Sequence, residues 1–393
     1  MQRYLRALCL LALSLPQNFE NFYIFDHRAP FDQLQSKKYN YVFNKISGDF
    51  MRWGETEEED PDMSVYGPEI ADIEITEICH GVRCDLNDES SRKVCPMCYK
   101  GNNPSNTSNM SFEVFKQLFD KLCSRVIDGE IKPWKVLTQI AFGADAQATA
   151  NPDLWRMMYY CRNNPYTEVI PNITVADISD ETADKLVEYV GAVSVSYYPT
   201  QNKNCCYESV KKLTDRGLKQ TNIHVCIYEE SFEDTLTLFK DIQSDERLSK
   251  MGAVVMLSLK KKGRGVNFTP LSAEKFKVLV DIALKAKIDF GFDSCSAPKF
   301  LDAVRDSDMY PEYFKMSESC ESFGLFSSYF NWEGKYFPCS FAEGEGGWDK
   351  GIDVINCNDF LDDVWFSPLV NKWRKISLGT IRDGVRHCPL FNI

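Results

Sequence analysis

The sequence lacks features that would place it in two common classes of protein. The apolar run at residues 7–15 is too short to cross a bilayer, and no small-x-small cleavage site follows it. We therefore expect a short helix that packs on the body of the protein rather than a signal for export. Positive charge is not in excess, because 57 acidic against 45 basic residues give a net charge of -12. Binding to nucleic acid or to a membrane is not expected, although residues 260–264 form a local basic patch.

The sequence also lacks the cysteine pattern of a small secreted disulfide scaffold. Its 15 cysteines are an odd number spread over 393 residues, and they concentrate near residues 79–98 and after residue 295. This pattern favours metal or cluster binding in a reducing compartment, so a cytoplasmic protein is expected. The chain exceeds the usual length of one domain, which predicts a catalytic domain with a smaller second one.

Short β-branched runs alternate with amphipathic segments from residue 70 onward, which is typical of β/α units around a parallel sheet. Helices are predicted after Ser111, over residues 180–190 and over residues 272–286. Six such units predict an α/β fold, a partial (β/α)6 barrel of the TIM type. The six predicted strands are residues 72–77, 136–142, 168–175, 192–197, 222–228 and 253–259.

Three regions are predicted along the chain. Residues 1–70 form an N-terminal extension that packs on the barrel, and residues 71–292 form the barrel itself. After residue 292 the alternation stops and glycine, cysteine and aromatic residues become frequent. Residues 293–393 are therefore predicted to form a small cysteine-rich domain.

Three cysteines after the first predicted strand carry the strongest chemical signal. Cys79 closes that strand, and Cys95 and Cys98 form a CxxC turn followed by Tyr99. Active sites of such barrels lie at the C-terminal ends of the strands. Three thiolates can bind three irons of a [4Fe-4S] cluster and leave the fourth iron open for a small ligand.

These residues resemble the signature of the radical S-adenosylmethionine (SAM) superfamily, three cysteines after the first strand with an aromatic residue beside the last. The gap of fifteen residues between Cys79 and Cys95 departs from the usual CxxxC spacing, although 7-carboxy-7-deazaguanine synthases have a comparably long gap. Cys84 is an alternative to Cys79 as a ligand. A structural zinc site built from Cys79, Cys84, Cys95 and Cys98 is the other interpretation.

The resemblance implies further positions that hold SAM. In the loop after the second strand, Gly143 and Asp145 occupy the place of a Gly-Gly-Glu-Pro-like loop, and an ordinary strand-to-helix turn is the alternative. Ser194 and Ser196 share one face of the fourth strand, where family members reach the SAM ribose. Either serine alone is also explained by burial with backbone hydrogen bonds. His224 is interpreted as a hydrogen-bonded core residue rather than a proton shuttle.

The cysteines after residue 293 resemble the opening of a SPASM auxiliary-cluster domain. The resemblance rests on Cys320, Gly334 and Cys339, and residues 331–334 also predict a tight hairpin turn. Cys388 resembles the last SPASM cysteine of the second half, and Cys295 takes the place of an upstream ligand. These four thiolates would complete one auxiliary cluster, with Cys357 as the rival fourth ligand.

The resemblance implies an enzyme, an oxidoreductase or a transferase, that cleaves SAM reductively at a [4Fe-4S] cluster to a 5'-deoxyadenosyl radical. A peptide or protein is the expected substrate, and a nucleoside or small metabolite is the alternative. The competing class is a zinc- or iron-sulfur-organised binding or electron-transfer protein. An electron donor such as flavodoxin or ferredoxin is implied as a partner. Some proteins with this general pattern are encoded by bacteriophages. The sequence identifies no catalytic residue that touches the substrate.

Overall fold

The computed structural model describes residues 22–23 (backbone only), 30–56, 59–85, 87–143 and 147–393. The helix expected at residues 7–15 lies outside the described residues. The strands are β1 (Phe22–Tyr23), β2 (Phe31–Gln35), β3 (Asn40–Asn44), β4 (Phe50–Trp53), β5 (Ile70–Ile73), β6 (Ser124–Ile127), β7 (Glu130–Pro133), β8 (Gln139–Phe142), β9 (Ile170–Val175), β10 (Ala192–Tyr197), β11 (Gln220–Ile227), β12 (Val254–Ser258), β13 (Phe290–Phe292), β14 (Ser327–Phe330), β15 (Lys335–Phe337) and β16 (Ile352–Asp353). The α-helices are α1 (Phe112–Leu122), α2 (Leu154–Asn163), α3 (Asp180–Tyr189), α4 (Lys203–Asp215), α5 (Phe232–Ser244), α6 (Ala273–Ala286), α7 (Ala297–Ala303), α8 (Tyr310–Met316) and α9 (Pro368–Leu378). No helix among the described residues is long and apolar enough to cross a membrane.

One large sheet organises the molecule. Its strand order is β13-β12-β11-β10-β9-β8-β5-β14-β15-β16, and all neighbours from β13 to β14 are parallel. The two ends of this sheet do not pair with each other in the described part of the chain, so the barrel is open. The predicted α/β class and the partial barrel of TIM type are confirmed.

All six predicted strands form, with shifted ends. The fourth strand matches its predicted bounds, whereas the first ends at Ile73 rather than at residue 77. Only the isolated bridges at Thr76 and Ile78 continue it, because the neighbouring strand β8 stops at Phe142 and the chain turns at Gly143. The short strand β13 was not predicted, since three residues that include a glycine give little periodic signal.

The predicted helices form where their caps indicate. Ser111 accepts a hydrogen bond from the backbone N–H of Val114, and Ser272 caps α6 in the same way. The apolar faces of the helices pack on the outer face of the sheet, where Phe115, Phe119 and Phe142 are fully buried. Alternate residues of each barrel strand point to the other face, which lines the interior.

Residues after 293 continue the sheet of the barrel. Strand β14 pairs in parallel with β5, and the predicted hairpin turn joins β14 to the antiparallel strand β15. Gly334 in this turn has a φ of +77°, which favours glycine. The hairpin brings the segment that carries Cys339 to the side of the first barrel strand.

The N-terminal strands β1 to β4 form a separate antiparallel sheet that covers one end of the barrel. Tyr41 and Phe43 of this sheet pack with Val136, Ile170 and Phe326, which lie at the N-terminal ends of barrel strands. The candidate functional site lies at the opposite end of the barrel, at the C-terminal ends of its strands.

Candidate functional site

The loop that follows β5 places Cys79 at the C-terminal end of the parallel strands. The start of this loop is held by the β-bridge between Ile78 and Asn103. The N–H of Cys79 lies 3.4 Å from the carbonyl oxygen of Asn103. Asn151 donates from its side chain to the carbonyl oxygens of Ile75 and Met110, which fixes both sides of the loop to the start of α2. Cys79 is therefore anchored near the strand end, although the strand itself stops earlier.

Residues 80–94 fold back as a hairpin-like insertion, so the long cysteine spacing in the sequence is a short distance in space. Val82 and Lys93 exchange backbone hydrogen bonds of 2.8 and 2.9 Å. Gly81 has a φ of +76°, and a Cβ at this position would collide with the carbonyl group of Lys93. The insertion thus returns the chain from Cys79 to the CxxC turn.

The thiols of Cys79, Cys95 and Cys98 are brought together. Burial raises the pKa of Cys79 and raises the pKa of Cys95 to about 12, and the charge of Cys98 adds to both shifts. The N–H of Cys98 points to the carbonyl oxygen of Cys95 at 3.4 Å, which closes the CxxC turn. Buried thiols become ligands when a positively charged group displaces their protons, as the irons of a cluster do.

Cys84 lies in another environment, on the far side of the insertion near Cys205 of α4. Burial raises the pKa of Cys205, and the charges of Asp177 and Cys84 raise it further. All cysteines of the described residues are free thiols.

The two metal groups considered for these thiols differ in the spacing that they require of their ligands. Thiolates that share one zinc ion lie about 3.8 Å apart, because each Zn–S bond measures about 2.3 Å and the site is tetrahedral. Within the described residues, no three Cys, His, Asp or Glu side chains are grouped to hold a single metal ion. Each thiolate of a cluster binds a different iron, so its ligands stand farther apart. Three thiolates are the donor set of a [4Fe-4S] cluster with one open iron, so the residue types fit such a group.

Arg264 wraps around the CxxC turn from the segment that follows β12. Its backbone N–H donates to the carbonyl oxygen of Cys98 at 2.9 Å, and its Nε donates to that of Cys95 at 3.0 Å. Its charge lowers the pKa of both Cys79 and Cys95 against the larger effect of burial. Arg264 belongs to the basic patch at residues 260–264. The sequence alone gave no sign that it contacts the CxxC turn.

Tyr198 was also missed by sequence reasoning, and it joins the predicted serines to the cysteines. Ser194 and Ser196 lie half-buried on the inner face of β10, in register with Asn222 and His224 of β11. The hydroxyl of Tyr198 lies near the side chains of both Ser196 and Cys95, and burial raises its pKa. A contiguous polar path thus runs from the barrel interior to a cysteine of the site.

The other predicted SAM positions have separate outcomes. Gly143 ends β8 with a φ of +75°, which turns the chain toward α2. Asp145 lies outside the described residues. Tyr99 packs its ring on Phe341, which follows Cys339 by two positions. Their roles as SAM contacts remain predictions.

A second group of thiols lies beside the first. The charges of Cys320 and Cys388 raise the pKa of both Cys295 and Cys339, in addition to the larger effect of burial. These four cysteines come from the ends of β13 and β15, the segment before β14 and the C-terminal segment. The structure thus brings together the four cysteines predicted as auxiliary ligands, and the raised pKa values keep the thiols of Cys295 and Cys339 protonated when no metal group is bound.

Cys357 is in different surroundings from these four cysteines. Burial raises the pKa of its thiol to about 11, and the charges that act on it are those of Lys121, Asp363 and Asp359. Lys121 donates a hydrogen bond from α1 to the carbonyl oxygen of Cys357. This environment is distinct from that of the auxiliary group.

Lys260 and Asp293 form an ion pair beside Cys295 of the auxiliary group. The side chain of Lys260 is 3% exposed, and the charge of Asp293 raises its pKa despite burial. Lys260 lies near Cys226 on the barrel interior and near Cys295 of the auxiliary group. The structure therefore places a buried positive charge near Cys226 and Cys295.

His224 points into the barrel interior from β11, beside this ion pair. Burial lowers its pKa to about 4, and the charge of Asp293 opposes the shift only in part. The interpretation of His224 as a hydrogen-bonded core residue stays a prediction. His224 is neutral at neutral pH.

Comparisons with known proteins rest on structure alone. No family model matches the chain, and no curated protein matches its sequence. The fold is similar to that of SuiB from Streptococcus suis, in a crystal structure of SuiB bound to precursor peptide SuiA, with a TM-score of 0.61, 12% identity and 90% of each chain covered. A second structure of SuiB gives a TM-score of 0.58 at 13% identity, covering 88% of this chain and 89% of SuiB. The chain therefore shares the overall fold of SuiB.

A third solved structure, HydG, a maturase of the [FeFe]-hydrogenase, gives a TM-score of only 0.38 at 13% identity, over 57% of this chain and 50% of HydG. This similarity is too low to carry an argument. The SuiB comparison thus shows a shared fold over about nine-tenths of this chain. The division at residues 70 and 292 into three domains stays a prediction.

Proposed function

We propose that this chain is a radical SAM enzyme that modifies a peptide or protein. The observation that carries the proposal is the convergence of Cys79, Cys95 and Cys98 at the C-terminal end of a parallel barrel whose fold matches SuiB over nine-tenths of both chains. SuiB is a radical SAM peptide modifier. The fold similarity and the cysteine geometry are independent observations that support one reaction class.

Three cysteines would hold the cluster, and the remaining iron would be left for SAM. When bound, a reduced [4Fe-4S] cluster supplies the electron that cleaves SAM to methionine and a 5'-deoxyadenosyl radical. Arg264 would orient the CxxC turn by fixing two of its carbonyl groups. Ser196 and Tyr198 would present hydroxyl groups to SAM from the inner face of the barrel beside Cys95.

Cys295, Cys320, Cys339 and Cys388 would hold a second cluster. Because four thiolates occupy all four irons, such a cluster has no open coordination position. Its expected contribution is electron transfer rather than direct binding of the substrate. The buried positive charge of Lys260 lies near Cys295 and would stabilise added negative charge on this cluster.

A peptide substrate is proposed because the similar structure was solved with a peptide. SuiB was crystallised with precursor peptide SuiA, and the present chain covers 90% of that SuiB chain. Cytoplasmic location and a flavodoxin- or ferredoxin-type electron donor belong to the same proposal.

The experiment is anaerobic reconstitution with iron and sulfide, followed by reduction with dithionite in the presence of SAM. We expect 5'-deoxyadenosine from the wild type, none from Cys95→Ala, and wild-type yield from Cys161→Ala, which removes a buried thiol of α2 outside both groups. Absence of 5'-deoxyadenosine from an iron-loaded wild type would overturn the reaction class.

The substrate class is tested with the same assay. Short peptides encoded beside the gene and a mixture of nucleosides are added separately, and the rate of 5'-deoxyadenosine formation and the mass of each recovered compound are measured. Acceleration with a mass change in a peptide supports the proposal. Acceleration by nucleosides alone contradicts it.

A further inference from the structure

The insertion between Cys79 and Cys95 has little apolar packing to hold it in place. Among the described residues of 80–94, Val82 is the hydrophobic residue that is buried. Residues 87–90 are exposed. A loop of fifteen residues with so small an apolar contact would sample many conformations, and each doubling of loop length adds only a modest closure cost. Polar contacts must therefore account for its fixed position.

Asp177 supplies those contacts from outside the insertion. It follows β9 at the C-terminal end of the barrel, and its side chain is 2% exposed. Its two carboxylate oxygens each accept one hydrogen bond of 3.0 Å from the guanidinium of Arg92. This fork-like geometry is the strongest form of arginine–carboxylate pairing.

Arg83 adds a second attachment to the same carboxylate. Its backbone N–H donates to Asp177 at 3.2 Å, and its guanidinium lies 3.2 Å from the other oxygen. Arg83 and Arg92 stand on opposite arms of the insertion, beside the bridge between Val82 and Lys93. Asp177 therefore holds both arms of the hairpin at one point.

Arg92 links this attachment to the cysteines. Its guanidinium also donates to the carbonyl oxygen of Gly81 at 3.1 Å, and the backbone N–H of Gly81 lies near the thiol of Cys79. The chain of contacts from Asp177 through Arg92 and Gly81 ends on the cysteine whose separation from Cys95 is unusual. A short CxxxC loop needs no such chain of contacts, because its length alone limits the distance between its cysteines.

We propose that Asp177 is a positioning residue that fastens the insertion at residues 80–94 to the end of β9, and so holds Cys79 in place beside Cys95 and Cys98. The inference rests on the proposed function, since it assumes that these cysteines bind a cluster. Asp177 does not touch the cluster or the substrate; it acts through Arg83 and Arg92.

The test compares Asp177→Asn with Asp184→Asn. Asp184 also pairs with an arginine, Arg216 at 2.6 Å, but on the exposed surface of α3. Both variants are reconstituted anaerobically, and the loss of each cluster to a chelator is followed by electron paramagnetic resonance. We expect Asp177→Asn to lose the SAM-binding cluster about 10-fold faster, as for other residues that orient metal ligands, and to retain the auxiliary cluster. Asp184→Asn should match the wild type.

A second readout does not need a cluster. Limited trypsin digestion of the metal-free protein should cut after Arg83, Arg92 or Lys93 faster in Asp177→Asn than in Asp184→Asn, and Asp177→Glu should recover part of the protection. If Asp177→Asn fails to fold, Arg92→Gln, on the exposed side of the same contact, is used instead. Equal digestion and equal cluster loss in variant and wild type would overturn the proposal. If Asp177→Asn is digested faster but the wild type never binds a cluster, the attachment by Asp177 is supported and the proposed function is rejected.

Discussion

The ring of Tyr99 packs against the ring of Phe341, with centroids 4.3 Å apart and planes inclined by 45°. Tyr99 follows the last cysteine of the first group, and Phe341 follows Cys339 of the second. Phe341 also lies under the ammonium group of Lys260, 4.7 Å from its ring centroid. One aromatic side chain thus connects both cysteine groups and the buried ion pair.

We expect Phe341→Leu to lower the free energy of unfolding by about 1–2 kcal/mol, because it removes an aromatic pair and a cation–π contact. Urea unfolding of the metal-free protein measures this. Phe314→Leu, at an exposed phenylalanine of α8, is the control and should change little. A double-mutant cycle with Tyr99→Leu should give a coupling of about 0.5–1.5 kcal/mol. Additive effects would show that the two rings do not stabilise each other.

The stability of the protein should depend on pH through His224. The pKa of this histidine falls from 6.5 to about 4 on folding because of burial. Between these values the unfolded chain binds more protons than the folded chain, so stability rises with pH. The contribution, up to about 3 kcal/mol, is fully present above about pH 6.5 and is lost as the pH falls toward 4.

The measurement is urea unfolding at several pH values between 4 and 7 for the wild type and His224→Gln. The variant should show a flatter dependence in this window. His80→Gln changes an exposed histidine and serves as the control. Parallel curves for the wild type and His224→Gln would contradict the prediction.

Iron content separates the two candidates for the fourth auxiliary ligand. Cys388→Ala should lower the iron content by up to about four atoms per chain, because its thiol belongs to the group with Cys295, Cys320 and Cys339. Cys357→Ala should leave it unchanged, since Cys357 lies near Lys121 and Asp363. The reverse result would assign the fourth ligand to Cys357.

Substitution of Gly81 tests whether the insertion is closed at this turn, and it removes no polar side chain. Gly81→Ala places a methyl group against the carbonyl of Lys93 at a φ of +76°, and we expect a loss of about 3 kcal/mol. Gly101→Ala has nearly the same φ, +75°, but nothing within 4 Å of the new Cβ, and should cost only about 1 kcal/mol of backbone strain. Thermal unfolding compares the two. Equal losses would mean that the insertion is not closed at this point.

Local patterns were sufficient for most of the barrel. The alternation in β10 predicted its bounds, and Ser111 and Ser272 marked the starts of two helices. The short strand β13 and the early end of β5 were not predictable, because hydrogen bonding to a neighbouring strand decides where a strand ends. That β14 pairs with β5 was equally hidden, since the two are separated by more than two hundred residues.

The sequence by itself determined the kind of fold and the residue types available for a cluster, because periodicity, caps and the CxxC turn are local properties of the chain. Only the tertiary structure decided which thiols meet. Cys84 is nearer to Cys79 in sequence than Cys95 is, yet the insertion carries it toward Cys205. Arg264 and Asp177 come from other parts of the barrel, and they reach the cysteines because the C-terminal ends of parallel strands gather at one edge of the sheet.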